Sequence, residues 1–166
     1  MWHHDKFGTH YTPQQVGEKL LKMNVSLVRV SGGEPTICKH HLLELLRLIP
    51  EHKVFILETN GILLDETYIK DLSRFKNIYV RVSLKGVDEH TFEQITGANG
   101  KFFKNQLNSL ELLKTYGISH RAAILVNLFT EEQIQSLGIP DLEYETLITY
   151  PFVMKGLKKR GIKLKV

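Results

Sequence analysis

Three short segments of this chain concentrate residue types that hold ligands: Arg29-Val30-Ser31-Gly32-Gly33-Glu34-Pro35, Glu58-Thr59-Asn60-Gly61 and Arg81-Val82-Ser83-Leu84-Lys85-Gly86. In the first, adjacent glycines permit unusual dihedrals and leave backbone groups bare for close approach. Glu34 adds a carboxylate, and Pro35 stiffens the exit while biasing Glu34 toward an extended conformation. A carboxylate on such a turn suits an ammonium group. The second segment offers a hydroxyl and an amide, with Gly61 for the bend. In the third, Ser83 and Lys85 alternate with Leu84, so in an extended strand a hydroxyl and a cation share one face. Each segment alone has a plainer reading: an ordinary turn, a turn asparagine, a solvated rim lysine.

Their positions make the set more specific. Each one closes a stretch with strand character: Val25–Ser31, Lys53–Glu58 and Asn77–Leu84. Between these lie helical patterns. Thr12-Pro13-Gln14-Gln15 reads as a capped helix start that buries Val16, Leu20 and Met23. Leu42, Leu43, Leu45, Leu46, Leu48 and Ile49 mark a second helix ended by Pro50. Asp65 reads as the cap of a third, packing Tyr68, Ile69 and Leu72. Phe103, Leu107, Leu110 and Leu113 mark a further helix closed by Gly117. The spacing then predicts a strand over Ser119–Leu128, a short helix capped by Thr130, a fifth strand over Glu143–Thr149, a last helix to Gly161 and a final strand. Strands alternating with helices of about 8–15 residues argue for βαβ units and a parallel sheet. Parallel α/β sheets place ligand groups at the C-terminal ends of their strands, where all three segments fall.

Taken together, the three segments resemble the radical S-adenosylmethionine (radical SAM) family. The resemblance runs from Trp2 to about Leu128. It implies an α/β fold, a partial (β/α) barrel with outer helices, in a single domain over residues 1–166. It implies that Glu34 holds the ammonium of S-adenosylmethionine (SAM), with backbone contacts from Ser31, Gly32 and Gly33 in the turn closed by Pro35. Asn60, Ser83 and Lys85 are then polar contacts to ribose or carboxylate, and Asn127 is a further candidate on the fourth strand. Ser83-Leu84-Lys85-Gly86 with Asp88, Phe92 and Thr96-Gly97 looks most like the activases of glycyl-radical proteins, which carry an aspartate where this chain has Ser83. The family's CxxxCxxC motif, which holds a [4Fe-4S] cluster, is absent. Trp2 sits where many relatives have an aromatic residue after the third cysteine, so the chain reads as beginning just after the cluster loop and lacking the first strand.

The sequence has one cysteine, Cys38, among 166 residues. It excludes an internal disulfide and agrees with a reducing, cytoplasmic setting. One thiolate does not hold a four-iron cluster. The histidine pairs His3-His4 and His40-His41 diverge on a helix and form no ready chelate. No apolar run approaches the roughly 20 residues of a membrane span. The net charge of +4 is a property of the tail, residues 155–166: removing its six basic residues leaves 16 bases against 18 acids, a net of −2. The tail lacks the interleaved aromatics of a nucleic-acid binder, so nucleic acid and membrane are not expected partners. An unpaired edge left by a missing first strand favours a homodimer. The substrate, small molecule or protein, is open. In the complete family protein, the cluster cleaves SAM reductively to a 5′-deoxyadenosyl radical. Two other readings remain: a cluster-free binding or scaffold module without catalysis, and an unrelated βα enzyme with an acid–base site from Glu34, Glu58 and Lys85.

Overall fold

A computed structural model describes residues 8–165. Its centre is one open sheet of five strands in the order β1-β2-β3-β4-β5: Leu27–Val30, Val54–Thr59, Ile78–Ser83, Ser119–Leu125 and Glu143–Glu145. Every neighbouring pair is parallel, with registers such as Val28↔Phe55, Glu58↔Arg81, Arg81↔Arg121 and Ala123↔Glu143. The sheet does not close, and β1 and β5 are its edges.

The helices are α1 (Pro13–Lys22), α2 (Lys39–Leu48), α3 (Glu66–Leu72), α4 (Glu89–Thr96), α5 (Phe102–Thr115), α6 (Glu131–Gln135) and α7 (Pro151–Lys159). Their starts are chemically specified. Thr12 and Gln15 complete a capping box, and Asp65, Asp88 and Thr130 each accept a backbone N–H as N-cap residues. The leucines of α2, Tyr68, Ile69 and Leu72 of α3, and Leu110 and Leu113 of α5 join one buried cluster. They meet Val28, Phe55, Leu57, Val80, Val82, Ala122 and Ile124 from a single face of the sheet. Strand side chains alternate, so the opposite face carries Arg29, Glu58, Arg81, Ser83, Glu143 and Glu145.

The differences from the sequence expectations have local causes. Met23 is 54% exposed, because α1 ends at Lys22 and the chain has already turned away. β4 stops at Leu125, and Val126–Leu128 tighten into a 3-10 turn. β5 keeps three residues of the seven expected: the Leu147 N–H donates to the Asn127 side chain at 2.9 Å and leaves the ladder. After Gly161 the described residues form no strand, and the Lys165 N–H meets the Asn127 carbonyl at 2.7 Å. No helix of the described residues is long and apolar enough to cross a membrane.

Candidate functional site

The first turn follows β1 directly. Gly32 and Gly33 have φ of 91° and 55°, left-handed values that other residues adopt at a cost. A Cβ at either position would meet nothing within 4 Å. The glycines are therefore required by the backbone, and the space beside them is open. Glu34 is extended, at φ −141° and ψ 106°, and its side chain caps the 3-10 turn Pro35–Cys38.

That carboxylate is the staple of the site. Its Oε1 accepts from the Thr36 N–H at 3.1 Å, the Thr36 hydroxyl at 2.6 Å and the Thr59 hydroxyl at 2.6 Å. Its Oε2 accepts from the Asn60 N–H at 2.8 Å. Glu34 thus ties the turn after β1 to the turn after β2. Each carboxylate oxygen offers about two acceptor positions, so Oε1 is crowded and Oε2, with one donor, keeps capacity for a ligand. Behind it, the buried Tyr68 hydroxyl donates to the Thr36 carbonyl at 3.3 Å. Burial raises the Tyr68 phenol above its ordinary range, and the neighbouring Glu34 and Cys38 add to the rise.

In the second turn, the Thr59 hydroxyl also accepts from the Gly61 N–H at 3.0 Å, and the Asn60 Oδ1 accepts from Ile62 N–H at 2.9 Å. The Asn60 Nδ2 is its remaining donor. At the end of β3, Lys85 Nζ donates to the Ser83 hydroxyl at 2.8 Å. The two share a face as their alternation requires, although β3 itself ends at Ser83. Burial pushes the Lys85 ammonium below the usual lysine range, against the upward pull of Glu145, Glu34 and Glu58.

A cleft of about 240 Å³ gathers seven of the nine expected residues: Ser31, Gly32, Gly33, Glu34, Asn60, Ser83 and Lys85. Thr59, Glu58, Arg81 and Glu145 complete its wall. Pro35 lies behind it, at the start of the 3-10 turn. Asn127 is not part of this group. Its Oδ1 holds the Leu147 N–H and its carbonyl holds the Lys165 N–H, so it brackets two loops away from the three turns. It lines a larger cleft, about 740 Å³, with Phe129, Thr130 and Tyr144. That cleft adjoins none of the three turns, and the smaller one holds the convergent polar groups.

Beneath the cleft lies an ion ladder that the sequence did not announce. Arg29 reaches Glu58 at 3.1 Å, and Arg81 reaches the same carboxylate at 3.3 Å. Arg81, 6% exposed, reaches past β4 to meet Glu143 at 2.9 Å and Glu145 at 2.7 Å. The hydrogen bond to Glu143 raises the Arg81 guanidinium further, and the same bond holds the Glu143 carboxyl below the usual range. With Glu58 held between two guanidiniums, Glu34 saturated on Oε1 and Lys85 bonded to Ser83, the three do not form an acid–base set. Among the described residues, no group of three His, Cys, Asp or Glu could hold a metal ion, and Cys38 is exposed. His3 and His4 lie outside the described residues.

Comparison with known proteins gives the chain a lineage. The family model for the radical SAM superfamily matches residues 2–137. No curated protein matches the sequence. Among solved structures, anSMEcpe with bound AdoMet has a TM-score of 0.65 at 22% identity, over 82% of this chain and 42% of that one. SuiB from Streptococcus suis, bound to S-adenosylmethionine, has a TM-score of 0.71 at 17% identity, over 92% of this chain and 40% of that one. The chain spans less than half the length of these two neighbours, and at such identities the likeness concerns the fold. With the family model matching most of its length, the chain belongs to the radical SAM superfamily.

Proposed function

We propose that the 240 Å³ cleft binds SAM, and that the complete protein is a radical SAM enzyme. One observation carries this reading. Glu34 Oε2 keeps acceptor capacity beside open glycine backbone, and the same cleft holds a Lys85 ammonium bonded to a single hydroxyl. An acceptor for an ammonium and a donor for a carboxylate in one cleft complement an α-amino acid head group. Asn60 Nδ2 and the Ser83 hydroxyl are suited to the ribose. The chain's share of the chemistry is to bind and orient SAM and to shield it from water.

The cluster is a separate matter. In family members a [4Fe-4S] cluster supplies the electron that cleaves SAM to a 5′-deoxyadenosyl radical. The donor set here does not fit it: the sequence has one cysteine, exposed at the end of the 3-10 turn. No step of this chain's own is therefore assigned to the cluster.

The test is calorimetry or ligand-observed NMR with S-adenosylhomocysteine. Without the cluster's two bonds to the methionine head, affinity is expected between high micromolar and millimolar. One charge-assisted bond contributes about 1.5–3 kcal/mol, so Glu34→Ala should weaken binding at least about tenfold. Binding that is unaffected by Glu34→Ala and by Gly33→Val would place the ligand elsewhere. The single cysteine also favours a second reading, a SAM-binding or scaffold module that performs no catalysis. Anaerobic reconstitution with iron and sulfide separates the two for this polypeptide: a colourless product fits the module, and a stoichiometric iron–sulfur chromophore excludes it.

A further inference from the structure

We propose that Gln106 is a positioning residue that holds the Asn60 turn and the Ser83–Lys85 segment in register, so that the two sides of the cleft act as one unit. The inference rests on the cleft being a ligand site, and not on which ligand it takes.

Gln106 is fully buried, at 0% exposure, on a helix that contributes nothing to the cleft wall. Its neighbours on the buried side of α5 are Phe103, Ser109, Leu110 and Leu113. A leucine would suit the pattern, and an amide in that place is costly unless every polar atom finds a partner. Each does. The Gln106 Nε2 donates to the Asn60 carbonyl and, at 3.2 Å, to the Ser83 carbonyl. Its Oε1 accepts from the Lys85 N–H at 3.1 Å. Two carbonyls require the NH₂ group and one N–H requires the oxygen, so only one amide orientation satisfies all three.

The partners are backbone groups at or just past the ends of β2 and β3, beyond the last β2–β3 register pair, Thr59↔Val82. The same helix fixes the turn by contact. A Cβ at Gly61 would lie 2.6 Å from the Ser109 hydroxyl and 2.9 Å from Val82 Cγ1. α5 is therefore a template against which both ligand-bearing segments are pressed, and Gln106 is the group that reads both.

Amide hydrogen exchange by NMR on the full chain tests this without a ligand. Gln106→Leu removes all three bonds. It should speed exchange at Lys85, Gly61 and Ile62 at least about tenfold, equivalent to about 1.4 kcal/mol, while Val80 and Val82 in the core of β3 keep their protection. Gln106→Glu keeps an acceptor for the Lys85 N–H but turns an oxygen toward two carbonyls. Gly61 and Ile62 should loosen, and the Lys85 N–H, which keeps its acceptor although Ser83 loses its donor, should lose less protection than they do. A general loss of packing would not split the two sides in this way. Titration with S-adenosylhomocysteine, run where both variants are fully folded, should show about tenfold weaker binding in each. The proposal is overturned if Lys85 exchanges at the wild-type rate in Gln106→Leu, or if Gln106→Glu loosens both sides equally. If the leucine variant does not fold, Gln106→Met, which removes the same three bonds with an unbranched side chain of similar length, takes its place and is read the same way. A wild-type protein that fails to bind S-adenosylhomocysteine contradicts the SAM reading, and the exchange pattern still decides the role of Gln106.

Discussion

Replacing Thr59 by valine isolates the bond on which the cleft is built. The swap conserves shape and volume at a residue that is 3% exposed, so cavity effects are small and the hydroxyl is the variable. Two interactions are lost. Glu34 loses one of its two 2.6 Å hydroxyl donors, and the Gly61 N–H loses its 3.0 Å acceptor. A hydrogen bond to a charged group contributes about 1.5–3 kcal/mol, and an unpaired buried N–H costs about 1–3 kcal/mol. Glu34 is half-buried and retains three other donors, which places the sum near 3 kcal/mol. For a chain of this size, 1 kcal/mol moves the melting temperature by about 2–4 °C, so Thr59→Val should melt about 6–12 °C lower. Circular dichroism melts of wild type, Thr59→Val, Glu34→Ala and the double variant close a cycle. Coupling of at least about 1 kcal/mol is expected, since groups in one network are not additive. A Thr59→Val melt within about 1 °C of wild type, or a cycle that sums within about 0.5 kcal/mol, would refute the stapled-turn argument.

Arg81→Met strips the ladder of the cation that pairs with Glu143 and Glu145 of β5. Breaking a buried pair costs about 3–5 kcal/mol, but Glu143 and Glu145 are each about one-third exposed on their side chains and rehydrate, so about 2–3 kcal/mol is expected in urea unfolding, with faster proteolytic cleavage around β5. Unchanged urea stability would mean that the ladder is ornamental. Stability should also fall in acid. Backbone N–H bonds from Tyr68 and Thr91 hold the capping carboxyls of Asp65 and Asp88 below the aspartate range. Their contribution is complete above the unfolded value, about 3.9, and disappears as pH falls through the lower folded values. The urea midpoint should decline below about pH 4, and less steeply in the double variant Asp65→Asn/Asp88→Asn; identical slopes would count against the caps.

Much of the cleft was legible because its chemistry is local. Gly32, Gly33, Glu34 and Pro35 state a turn in four letters, and Thr12, Asp65 and Thr130 announce helix starts by side chains that bond three residues on. What escaped is non-local. Arg81 pairs with acids 62 and 64 positions later, on a strand that is not its neighbour, and no spacing rule reaches across an intervening β4. Gln106 was passed over because the apolar stripe Phe103, Leu107, Leu110 and Leu113 runs beside it, and a single polar letter there reads as surface. Asn127 sits apart for the same non-local reason. An asparagine near a strand end looks like a ligand group, and the loops arriving from residues 147 and 165 capture its Oδ1 and its carbonyl beside a different cleft. The same capture shortened β5, whose continuation had the composition of a strand but no partner left to pair with.

The ion ladder has a consequence for the order in which this chain is made. Arg81 leaves the ribosome long before Glu143 and Glu145, and β1 to β4 are all synthesised while its guanidinium has only Glu58 to bind. Until the last acids emerge, the nascent sheet keeps one charged, hydrated face, and water has reason to stay on it. Arrival of residues 143–145 brings both of the missing partners of Arg81 in one step, on a strand of only three residues. β5 therefore acts as a latch set only after β1 to β4 are made, and a polypeptide released before Glu143 would carry its helical core on one side and a wet, unclosed cleft on the other.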